Sequence, residues 1–112
     1  MSLTNTLRTI GTGFSEVCAA YHYRRPDKSA APYLVWQEDG EGEILKADNA
    51  KAVITLQGSA DYYTDEEFDP VIDLLQRKFE ALHLVWRLDS VLYEQETGLI
   101  HYSWKWETSY GP

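Results

Sequence analysis

Three histidines, His22, His83 and His101, are the side chains best suited to move a proton near neutrality or to hold a metal. None of them lies at a short metal-ligand spacing such as HxxxH. His101 and Ser103 stand two apart, so on a strand they share a face, and Ser90 is a second hydroxyl to pair with that imidazole. Acyl transfer would also need a third group to orient the base and an oxyanion hole, and neither is indicated. No GxSxG, Walker loop or GxGxxG is present, and GTG at 11–13 reads as a helix end. A hydrolase built on paired carboxylates would need two acids facing each other in a pocket. The acids here are plentiful, but none stands isolated in an apolar stretch where burial would raise its pKa. Glu94 and Glu96, for example, fall in a loop. The expectation is a non-enzymatic chain with no cofactor, no metal and no catalytic residue.

The other arrangement that could do chemistry is aromatic. In TGLIHYSWKWETSY, residues 97–110, Ile100, Tyr102, Trp104 and Trp106 alternate with His101, Ser103, Lys105 and Glu107. On a strand the first set shares one face. Exposed, that row would be a platform for a carbohydrate or another small ligand; covered, it is core. Burying a side chain of this size is worth about 1.5–3 kcal/mol, so leaving four in water would forfeit about as much as a small domain's whole stability. Core is therefore expected, beneath an amphipathic helix. Tyr33, Tyr63, Tyr93 and Tyr110 exceed what two helices can cover, which leaves either burial against another subunit or scattered exposure on the surface.

The elements that must position these residues can be read from periodicity. Leu3, Leu7 and Ile10 mark a short helix over 3–10, stopped by Gly11 and Gly13. Residues 17–23 read as strand, with one long helix over 3–21 as the alternative. PYLVWQE, 32–38, is a strand, and GEGEILKADNA, 40–50, a turn-rich connection. AVITLQGSADYY, 52–63, alternates as a half-buried strand. Phe68, Val71, Ile72, Leu75, Phe79 and Leu82 lie at helical spacing, predicting a helix over 65–82. Its start is either a capping box of Thr64 with Glu67, or Asp69 as cap with Pro70 first. LVWRLDSVLY, 84–93, and LIHYSWKWET, 99–108, flank EQETG with Gly98 and predict a hairpin in which Leu84, Trp86, Leu88 and Leu92 share the core face. The sum is one α+β domain over 1–112: a mainly antiparallel sheet of four to five strands with two helices packed on one face.

Composition narrows the function. A hydrophobic share of 44% and an aromatic share of 13% belong to a folded domain. No stretch approaches the roughly 20 apolar residues of a membrane helix, and MSLTNTLRTIGTGFS lacks the basic start and apolar run of a secretory leader. The single Cys18 suits a reducing compartment and reads as a small apolar core residue. A net charge of −8, with acid-only stretches at 38–43 and 61–73, disfavours a nucleic-acid binder, which needs cations to displace phosphate counterions.

In order and length, a short N-terminal helix, PYLVW, ADN at 47–49, ITLQGSADYYT leading into DEEFDPVIDLLQRKFEAL, and the closing hairpin WRLDSVLYEQETGLIHYSWKWE resemble the tail terminator, or tail completion, proteins of long-tailed bacteriophages. The resemblance implies a structural protein of the virion tail, made in the host cytoplasm. It would assemble as a ring, commonly a hexamer, that caps the tail tube and forms the joint to the head. Its partners would be other copies of itself, the tail tube protein and a head–tail connector, with DNA passing through unbound and no membrane involved. On that reading Glu41, Glu43, Ile44, Leu45, Tyr33 and Tyr63 are interface candidates, and Glu38, Asp39, Asp65 and Glu66 candidates to line the channel. The alternative is a binding module for a small ligand or carbohydrate that uses exposed Trp and Tyr.

Overall fold

The structure, a computed structural model, describes residues 1–26, 30–42, 45–47 and 50–111, with the backbone alone at 45–47 and 50–53. The order is α1 (Leu3–Ser15), β1 (Ala20–His22), β2 (Tyr33–Glu41), β3 (Leu45–Ala47), β4 (Ala50–Thr64), α2 (Val71–Ala81), β5 (Val85–Glu94) and β6 (Leu99–Tyr110). Five strands form a sheet in the order β1-β2-β4-β6-β5, and β3 adds to the outer half of β4. All pairs are antiparallel except β1 with β2, which makes the sheet mixed. The α+β class is as expected; the parallel edge was not foreseen.

Helix α1 begins at Ser2, whose hydroxyl accepts the Asn5 N–H at 3.2 Å. It does not stop at the glycines, contrary to the sequence expectation. A Cβ at Gly11 would lie 3.0 Å from the Trp36 ring, and one at Gly13 2.8 Å from Leu82. Glycine costs a helix about 1 kcal/mol relative to alanine; here its bare surface lets α1 sit directly on the sheet and on the end of α2. Glycine as a punctuation mark and glycine as a packing notch look alike in a sequence.

Helix α2 begins six residues later than the apolar stripe suggests. The capping box does not form: Thr64 accepts the Glu66 N–H at 3.1 Å within a turn. Asp69 takes the capping role, its carboxylate accepting the Val71 N–H at 2.9 Å and the Tyr62 hydroxyl at 2.7 Å. Phe68, counted in the stripe, instead adopts φ 61° and projects outward, 87% exposed. At the other end His83, φ 60°, closes α2 with its N–H on Glu80 O (3.0 Å) and the Leu84 N–H on Phe79 O (2.8 Å). This is a left-handed helix terminus occupied by a residue other than glycine.

Both helices cover one face of the sheet. Ile10 and Phe14 of α1 and Leu75 and Phe79 of α2 meet Leu34, Trp36, Leu56, Ala60, Tyr62, Trp104 and Trp106 in one core. Phe79 lies edge-on to Trp104 at 5.3 Å, and the Trp104 indole N–H donates to Gln76 Oε1 at 3.2 Å. Trp106 lies against Gly58, where a Cβ would fall 2.0 Å from its ring. Its indole nitrogen is buried with no hydrogen-bond partner among the described residues. Half-buried Cys18 packs against this core, and burial, with the Asp69 charge adding, pushes its thiol up to about 11.

Three expectations on the strands change. Residues 40–50 are not a plain connection: β2 runs to Glu41, and 45–47 form β3. The strand expected at 17–23 shortens to Ala20–His22. On β5 the register shifts between Leu88 and Ser90, so Leu88 pairs with Trp104 and Val91 with Tyr102 on the helix side, while Leu92 pairs with His101 on the other. A bulge inserts one residue and reverses the alternation beyond it; Leu92 therefore does not join Trp86 and Leu88.

Candidate functional site: an apolar sheet edge

Strand β5 is the last strand of the sheet, so one side of its backbone pairs with β6 and the other has no neighbouring strand among the described residues. An apolar edge of this kind is normally shortened, charged or covered. Here Val85 (75% exposed), Leu88, Val91, Leu92 and Tyr93 (64%) all stand open. The bulge at Asp89 sends them to both faces: Leu88, Val91 and Tyr93 toward the helix side, Val85 and Leu92 away from it. Asp65, Glu67, Val91, Tyr93, Gly98 and Ile100 line a hollow of about 540 Å³, and Phe68 belongs to the same 65–69 turn. With Phe68, 87% exposed, the edge and the turn beside it leave large apolar side chains in water on both faces of the sheet. A left-handed φ at an exposed phenylalanine is unusual, and it holds the ring in solvent.

The opposite end of the sheet is a cleft. β1 is three residues long, and Leu7, Arg8 and Gly11 of α1 face Ala20, His22 and Trp36 across a hollow of about 820 Å³. His22 stacks on Trp36 at 3.9 Å and on Tyr23 at 3.8 Å, and its Nε2 is 2.7 Å from Glu38. The Tyr23 hydroxyl also donates to Glu38 at 2.8 Å. Burial opposes ionisation of Glu38, but a backbone hydrogen bond and those from His22 and Tyr23 outweigh it and hold the carboxyl below the usual range.

On the face away from the helices, a row of rings crosses three strands. Tyr33 stacks on Tyr63 at 4.9 Å, Tyr63 stacks on His101 at 4.2 Å, and the Arg25 guanidinium lies 4.7 Å over Tyr33. His101 Nε2 is 2.7 Å from Asp61, and its Nδ1 is 3.9 Å from Glu94. Burial, with Asp61 second, raises the Tyr63 hydroxyl to about 12, so the phenol stays protonated at neutral pH. Among the described residues no serine, threonine or cysteine bonds to His22 or His101, and no group of three or more His, Cys, Asp or Glu could hold a metal. The Asp61–His101 pair is invisible in the sequence, because only the β4–β6 register brings residues forty apart into contact.

The candidates named from the sequence scatter over the surface. Tyr33 is 5% exposed and closed off by Tyr63 and Arg25, which leaves little of its ring for a partner, and Tyr63 is half-buried. Glu41 is exposed at the end of β2, Leu45 begins β3, and Glu43 and Ile44 lie outside the described residues. Glu38 faces His22, Asp39 accepts a bond from Gln37 at 2.8 Å, and Asp65 and Glu66 are exposed in the turn before α2. The first two acids lie toward the β1 edge and the last two toward the β5 edge. The β5 patch itself was missed as a surface. Its signal was present in LVWRLDSVLY, which has more apolar residues than one face of a strand can hold. No described helix is long and apolar enough to cross a membrane. Comparison with protein-family models and with curated proteins finds no match to the chain.

Proposed function

We propose that this protein is a structural subunit of a phage tail, a terminator that associates side by side into a ring capping the tail tube. The observation that carries the reading is the apolar β5 edge, which in a lone subunit leaves large hydrophobic side chains in water beside an unpaired strand. A subunit that must be joined on two sides needs such a surface, and repeated head-to-tail contact around an axis closes a ring. The burial of Trp36, Trp104 and Trp106 favours this reading over a carbohydrate platform, since those indoles are committed to the core. The net charge of −8 suits a channel through which DNA slides without adhering; Glu66 is an exposed acid that such a channel would use. The resemblance along the chain supplies the partners: the tube protein on one side and a head–tail connector on the other.

The test uses a tail-tube protein that polymerises without limit in vitro. Adding this protein should yield tubes of bounded length with added density at one end in electron micrographs. Tubes that keep growing, with bare ends, would overturn the tail assignment.

A further inference from the structure

Resting on the ring reading, we infer that the partner of the β5 edge is the β1 end of a second copy, so that the sheet continues from one subunit into the next. The two ends of the sheet are unlike and complementary. One carries exposed Leu88 and Val91 on its helix-side face. The other carries the cleft between α1 and β1, floored by Ala20 and Trp36 on that same face.

Register supports the join. Across the sheet Ala20 is level with Leu34, Tyr62, Tyr102 and Val91, and His22 with Trp36, Ala60, Trp104 and Leu88. A second copy set beside the first at the same height and in the same orientation therefore brings Val91 to Ala20, and Leu88 to the Tyr23 ring that covers the outer face of His22. Direction agrees as well. β1 runs parallel to β2, and three antiparallel steps lead from β2 to β5, so the two edges meet antiparallel. In the ladder with β2, Ala19 O and the Tyr23 N–H face inward, to Leu34 and Trp36. The intervening Ala20 therefore turns its N–H and C=O to the open side, as strand addition requires.

Charge agrees at two levels. The Tyr33 row has Arg25 at the β1 side, over the Tyr33 ring; at the β5 side it ends at Leu92, followed on the same face by Glu94. The Gln37 row has Asp39 at the β2 side and ends at the other in exposed Arg87, which within its own subunit lies 3.4 Å from Asp89. Set level, a base meets an acid at one height and an acid meets a base at the other. For a chain of net charge −8, whose copies otherwise repel, this selects one approach.

The experiment uses two variants of the full chain, each checked for native tryptophan emission. Val91→Lys spoils the β5 edge; Ala20→Pro removes the outward N–H of β1, which an edge position tolerates. Leu92→Glu and Ala20→Arg serve as second choices if either misfolds. In sedimentation velocity over rising concentration, wild type should form species above its 12.9 kDa monomer, and each variant alone should remain monomeric. An equimolar mixture should give a 1:1 heterodimer and nothing larger, because each variant retains the end the other lacks. A wild type that stays monomeric throughout overturns the join. So does an Ala20→Pro variant that still self-associates, which would indicate β5-to-β5 contact. Either failure leaves tube capping to be decided separately, whereas a join that forms without capping tubes defeats the tail assignment alone.

Discussion

The centre of the sheet and its β5 edge are built from the same kinds of residue and meet opposite fates. Trp104 and Trp106 on β6 are sealed at 0% and 1% exposure, whereas Val85, Leu92 and Tyr93, one strand away, each leave more than half their surface in water. Hydrophobicity does not separate them. Coverage does: α2 lies across β6, and its Phe79 reaches only as far as Trp86 on β5. The bulge at Asp89 then turns Leu92 to the face opposite the helices. An apolar strand lying mostly beyond its lid keeps much of its surface in water.

The widest gap between the two regions should appear on truncation. Trp104→Ala should cost about 3–5 kcal/mol in urea unfolding, the usual penalty for emptying a large aromatic site. Leu92→Ala should stay within about 0.5 kcal/mol, as expected of an open position. Similar losses at both sites would erase the distinction between centre and edge. A smaller effect probes how the lid is fastened. Asp69, 5% exposed, binds the Tyr62 hydroxyl and the start of α2. Burial works against its charge, yet the hydrogen bonds from Tyr62, Val71 and Thr64 prevail and its carboxyl lies below the ordinary range. Its stabilising contribution is thus complete above the unfolded aspartate value, near pH 4 on the general scale, and fades as pH falls through the folded value. Asp69→Ala should cost about 2 kcal/mol at pH 7. The difference from wild type should shrink in denaturation curves taken on acidification below pH 4; a pH-independent difference would contradict the ionised bond. The smallest effect lies at the other end of the lid. His83→Gly relieves a left-handed backbone at some entropic cost and should add about 0.5–1 kcal/mol, read as a raised midpoint.

The sequence conveyed the α+β class, the hairpin of the last two strands and the burial of the tryptophan row, because each depends on local period. It misled where one residue type serves two purposes. Gly11 and Gly13 are helix breakers by propensity but packing notches in place. Phe68 fitted a helical stripe only by spacing; Asp69 caps α2 beyond it and leaves it outside. The alternation of β5 was legible as far as Leu88, after which a single inserted residue inverted it. The parallel β1 edge and the pairing of His101 with Asp61 depend on long-range register, which no local pattern encodes.

The thiol of Cys18 has a practical bearing on all of this. Raised to about 11 by burial, it offers very little thiolate at neutral pH to an alkylating reagent. A fluorophore or spin label attached through a cysteine introduced at Val91 or Ala20 would therefore report from its chosen position against a quiet background. Distances between copies could then be measured in the otherwise native chain.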